Sequence, residues 1–98
     1  MDEPAHVERR FNLDDTELVA RFYTPAKAPG GEFQCQWSLE WPGRHVRRHA
    51  CGEVGVQALM LAMRTVHSEL VESDAYKAGR LALWGEADLD LPPVWFAD

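Results

Sequence analysis

Residues Phe33-Gln34-Cys35-Gln36-Trp37-Ser38-Leu39-Glu40-Trp41 alternate apolar and polar without a fault. Successive side chains on a strand point to opposite faces, so nine residues of this pattern specify a β-strand with one buried and one wet face. Pro42-Gly43 then turns the chain, and Arg44 to Cys51 returns as the next strand.

A two-residue loop fixes the register of that hairpin. Trp41 faces Arg44, Leu39 faces Val46, Trp37 faces Arg48 and Cys35 faces Ala50. Val46 and Ala50 join the apolar face, and the Arg44 and Arg48 stems reach the tryptophan rings. A slip of one residue would instead bury His45, Arg47, His49 and Cys51, at greater cost. The favoured register pairs Glu40 with His45, Ser38 with Arg47 and Gln36 with His49 on the wet face. It also separates Cys35 and Cys51 onto opposite faces, so they do not form a disulfide.

Two further strands precede this hairpin. Residues 6–13 carry Val7, Phe11 and Leu13 on one face, with Arg9 breaking the pattern as at a sheet edge. After the Asp14-Asp15 turn, residues 16–23 place Leu18, Ala20 and Phe22 on one side. Pro25 to Gly31 reads as a loop, because two prolines and two glycines oppose regular structure. From 54 to 73 the period becomes helical, with Val56, Leu59, Met63, Val66 and Leu70 as the apolar stripe. Gly52 and Gly55 stand at its entrance without a Ser, Thr, Asp or Asn cap. Residues 74–98 form a C-terminal segment with one helical turn ending at Gly79 and prolines that bar a further helix.

These elements predict one α+β domain over residues 1–98. It has a four-stranded antiparallel sheet in ββββα order, one long helix packed on the face of Phe33, Trp37, Leu39 and Trp41, and an irregular C-terminal segment. Ninety-eight residues, 46% hydrophobic and 27% charged, suit one modest core. The polar start of the chain and the absence of a long apolar run predict a cytoplasmic protein with no membrane span.

The second half of the chain resembles a family of small bacterial proteins known only as a domain of unknown function. The likeness lies in Ala50-Cys51-Gly52, Val56-Gln57-Ala58-Leu59, Leu61-Ala62-Met63 and Leu70. Tyr76-Lys77-Ala78-Gly79-Arg80-Leu81, Trp84-Gly85 and Asp88-Leu89-Asp90-Leu91-Pro92 complete it. The resemblance implies a small β-then-α domain and brings no activity, cofactor or catalytic residue. Two positions depart from the family pattern. Val54-Gly55 stands where an Asp-Ser-like pair opens the helix, and Asp90 stands where Asp-Leu-Gly-Leu-Pro has glycine.

The candidate chemistry is sparse. A net charge of −6 disfavours general affinity for nucleic acid or anionic membrane. His45 and His49 on one strand face are about 13 Å apart, too far to share an ion, so no metal is expected. No cofactor motif occurs. Cys51 with His49 is the sole Cys–His pair and lacks an orienting third group. The expectation is therefore a protein without catalytic residues that contacts a protein partner or a second copy of itself. Trp84, Trp95 and Phe96 supply the aromatic contacts. The alternative is a small-ligand or nucleic-acid binder using His45, Arg47 and His49 on the wet sheet face; an enzyme centred on Cys51 and His49 ranks third.

Overall fold

The computed structural model describes residues 5–92. Its strands are β1 (Val7–Leu13), β2 (Thr16–Phe22), β3 (Ala26–Lys27), β4 (Phe33–Trp41), β5 (Arg44–Gly52) and β6 (Leu81–Ala82). The helices are α1 (Gly55–Val71) and the single turn α2 (Asp74–Lys77). All strand pairs are antiparallel. β5 lies against one side of β4; β2 and β3 share the other side, and β1 and then β6 follow beyond β2.

The sheet thus has six strands rather than four. β3 sits inside the expected loop, between Pro25 and Pro29. Proline favours the extended backbone that a short strand needs, and Ala26 and Lys27 pair with Gln34 and Phe33. Ala28 N donates to Glu32 O at 2.7 Å and closes this small hairpin. β6 lies in the segment expected to be irregular, where Leu81 and Ala82 pair with Leu13 and Asn12. It covers only the far end of β1, so β1 is indeed an edge at Arg9.

The β4–β5 register is the one a two-residue loop requires, from Trp41 opposite Arg44 to Cys35 opposite Ala50. Cys35 is buried, Cys51 is exposed, and both are free thiols. Arg44 lies over the Trp41 ring at 5.1 Å. Arg48, opposite Trp37, pairs its guanidinium with Glu69 at 3.1 Å.

α1 packs on the face of β4 that carries Cys35, Trp37 and Leu39. Its buried line is Ala58, Ala62, Val66 and Leu70, spaced by four. That corrects the expected stripe: Val56 is 77% exposed, while Leu59 and Met63 flank the core. The small residues decide the rotation of the helix. A Cβ on Gly52 would lie 2.6 Å from Ala58 N, so a glycine on β5 and alanines on α1 let two backbones nearly touch. Leu70 is fully buried, and truncating such a leucine costs about 2–5 kcal/mol.

The start of α1 has Val54 as N-cap with no side-chain hydrogen bond. Gln57 Oε1 instead accepts from Glu53 N at 2.5 Å, which satisfies one main-chain donor just outside the helix. α2 is better specified, since the Ser73 hydroxyl accepts from Tyr76 N at 3.2 Å. Beyond it the chain returns to the core. Leu89 is buried, Arg9 Nη1 donates to the carbonyls of Leu89 and Asp90, each at 3.2 Å, and His67 Nδ1 lies 2.7 Å from Pro92 O.

Candidate functional site

The sheet face opposite α1 is polar and interlaced. Register places Glu8, Arg21, Ser38 and Arg47 in one row across β1, β2, β4 and β5. Arg21 is the hub of that row. It binds Glu8 at 2.9 Å and reaches diagonally to Glu40 at 2.5 Å. Arg10 adds contacts to Glu8 at 3.1 Å and Glu17 at 3.6 Å. The hydrogen bond from Arg21 holds the Glu8 carboxyl below its usual range, with Arg10 adding to the effect. The same guanidinium lowers Glu40. Arg21 is raised in turn, first by its bond to Glu40.

Arg47 is committed within this layer. Nε and Nη2 both donate to Gln36 Oε1, at 3.0 and 2.6 Å, and the guanidinium lies 4.4 Å from the centre of the Tyr23 ring. The expected partners face each other in register, yet the side-chain bonds run diagonally. Arg47 takes Gln36 rather than Ser38, and Glu40 takes Arg21. Beneath these arginines Val19, Tyr23 and Ser38 are buried although they lie on the polar face. Ser38 Oγ has no hydrogen-bond partner among the described residues. His45 and His49 are exposed on the β5 side of this layer.

The thiols differ in character. The Cys35 thiol donates to Tyr23 O at 3.2 Å, and burial pushes its pKa up, which opposes formation of a nucleophilic thiolate. Cys51 is exposed beyond His49 on the wet face. Among the described residues no three His, Cys, Asp or Glu side chains gather as metal ligands, and no helix is long and apolar enough to cross a membrane.

Trp84 occupies a different kind of place. Leu83 and Glu86 exchange two main-chain hydrogen bonds, each 2.9 Å, around the loop Trp84-Gly85. Both loop residues have positive φ, 51° for Trp84 and 82° for Gly85. That is a type I′ turn, whose first position suits Asn, Asp or Gly. A bulky tryptophan in left-handed backbone is an outlier, and the residue is 82% exposed. Leu83, its neighbour, is buried in the core and anchors the turn. Trp95 and Phe96 lie outside the described residues.

Of the sequence-predicted residues, then, His45, Arg47 and His49 share the β5 part of the polar face. Trp84 lies beyond β6, at the other end of the strand order. Three features escaped the sequence reading. The Tyr23–Arg47 stack follows from the strand order β2–β4–β5 and its two registers, and no local pattern supplies the β2–β4 part. The Arg21 hub arises the same way. The exposed apolar group at Val54, Val56 and Leu61 follows from the rotation of α1, and the four-residue spacing of Ala58, Ala62, Val66 and Leu70 is its signal.

A family model described as a domain of unknown function, DUF6968, matches residues 7–93. The chain belongs to that family. The match takes in β1 to β5 as well as the helix and the segment after it, a longer stretch than the half of the chain that carries the resemblance in sequence. No curated protein and no solved structure matches. Asp90 has φ 52°, so the chain takes left-handed backbone before Pro92 without a glycine there. Asp88 Oδ1 accepts from Asp90 N at 2.9 Å and braces it.

Proposed function

We propose that this DUF6968 chain is a non-enzymatic protein-interaction module that associates through Trp84, with a second copy of itself as the first partner. The observation that carries this reading is the Trp84-Gly85 turn. Exposure of one large apolar side chain is ordinary by itself. Exposure joined to an unfavourable backbone conformation is not, because strained positions persist where they do a job. Tryptophan is also the residue type most enriched among energetically dominant interface contacts. A single projecting ring on a rigid two-residue loop suits a two-fold pairing, the commonest symmetry of small oligomers.

The polar sheet face supports this reading indirectly. Arg47, the central cation of the alternative ligand site, is already bonded to Gln36 and stacked on Tyr23. Recruiting it for an anionic ligand would require breaking those contacts first.

Trp84→Asn separates function from folding. Asn-Gly is the preferred type I′ pair, so the variant should fold at least as well as the parent. Sedimentation of the parent at several hundred micromolar should show a dimer that this variant does not form. A parent chain that stays monomeric there would overturn self-association, and a dimer left intact by Trp84→Asn would remove Trp84 from the contact.

A further inference from the structure

β5 is an edge strand of nine residues, longer than the usual strand of about five or six. Its unpaired side is unusually well defined. Tyr23 N donates to Gln36 O at 2.9 Å, so the main-chain groups of Gln36 point toward β2 and those of Trp37 point toward β5. Antiparallel pairs alternate in this way. Arg44, Val46, Arg48, Ala50 and Gly52 therefore spend their main-chain groups on β4. His45, Arg47, His49 and Cys51 turn theirs outward, and no strand of the described residues lies there. A free edge of this length is a template for an added strand.

The chemistry along the edge selects what is added. The wet side of β5 carries His45, Arg47 and His49 and no acid, within a chain of net charge −6, while Arg44 and Arg48 lie on the α1 side, where Arg48 is paired with Glu69. Pairing β5 with β5 of another copy would set like charges opposite one another, which is destabilising. An acidic strand would meet opposite charge. The two sides of the added strand differ. Toward the wet face lie the exposed His45 and His49. Toward the core side, a groove of about 590 Å³ lies between the start of β5 at Arg44 and the flank of α1 at Leu61, Thr65 and Glu69. Leu61 is partly exposed there.

We propose that the outer edge of β5 takes an extended acidic segment of a partner protein as an added strand, with acidic side chains toward His45 and His49 and apolar ones toward α1. The site stands at the sheet edge away from Trp84 and does not depend on it. The probe is a fluorescein-labelled nine-residue peptide of alternating Glu and Val. Its binding is followed by polarisation, and amide exchange is followed by NMR. Binding should weaken with salt and should slow exchange at His45, Arg47, His49 and Cys51 while leaving the amides that face β4 unchanged.

His49→Pro removes one outward N–H without touching a β4 bond and should weaken binding by about fivefold or more. A peptide methylated on alternate amide nitrogens makes the same test from the other partner, with the protein intact, and should not bind. The proposal is overturned by any of four results. These are no binding of the Glu-Val peptide at millimolar concentration, equal binding of a Lys-Val peptide, undiminished binding of the methylated peptide, or slow exchange of the four amides in concentrated protein alone, which would mean that β5 pairs with itself.

Discussion

Trp84 holds a backbone conformation that costs an ordinary L-residue roughly 1–2 kcal/mol. Its exposed ring recovers none of that by packing in the core. Replacement by Asn should therefore stabilise the fold by about 1 kcal/mol, a rise in melting temperature of about 4–8 °C for a domain of this size. Calorimetry at a concentration where the parent is monomeric would read it without interference from association. A fall in melting temperature would show that the ring is held by contacts within the chain. Gly52 is the opposite case at the same scale. Its φ is unremarkable, and what matters is the space it leaves. Gly52→Ala would put a Cβ against Ala58 N and 3.0 Å from the Gln57 carbonyl carbon. Backbone cannot swing aside, so the loss should be about 1–3 kcal/mol in urea unfolding.

The Gly52 contact also explains what the sequence revealed of each element and what it hid. β4 was legible because alternation has one solution: Phe33 to Trp41 fixes both faces, and the Pro42-Gly43 loop passes the register on to β5. α1 was legible as a helix but not in its rotation. The expected stripe and the buried line share Val66 and Leu70, and differ in Val56, Leu59 and Met63 for the first against Ala58 and Ala62 for the second. Side-chain size made the first look more hydrophobic. Tertiary contact goes with the second, since Gly52 brings β5 against the Ala58 backbone. β3 and β6 were illegible because two residues are too few to show a period, and the partners across the sheet decide them. Of the site, Trp84 was visible as an aromatic beside Gly85, whereas the diagonal bonds of Arg21 and Arg47 require a strand order that no local pattern supplies. Val56→Glu tests the phase directly. With Val56 in the core it would be severely destabilising. With Val56 exposed in the first turn of a helix that has no acidic residue there, it should add about 0.3–1 kcal/mol through the helix dipole, read as a higher urea midpoint.

At the scale of the whole molecule, the described chain spans 19 Å along its thinnest axis, about the thickness of one sheet and one helix layer. One face of the sheet is closed by α1 and by the segment around Leu89, and the other by side chains alone. That second closure depends on charge. Arg21 spans β1, β2 and β4 by holding Glu8 and Glu40 together, and the arginine layer keeps Val19 and Tyr23 from water. Both carboxyls have folded-state pKa values below their ordinary ones. Groups depressed in this way add stability that is present above the unfolded value, near 4.5, and is lost as pH falls through the folded values. Arg21→Met keeps the apolar stem over the sheet and removes the charge. The parent should exceed this variant in urea midpoint at pH 7. The gap should narrow below pH 4.5 as the two glutamates protonate, and it should also shrink in 1 M salt at pH 7, because both carboxylates are open to solvent. A gap that is constant from pH 7 to pH 2.5 would assign the role of Arg21 to the packing of its stem over Ser38 and Val19, with the charges contributing nothing to how this face of the sheet is closed.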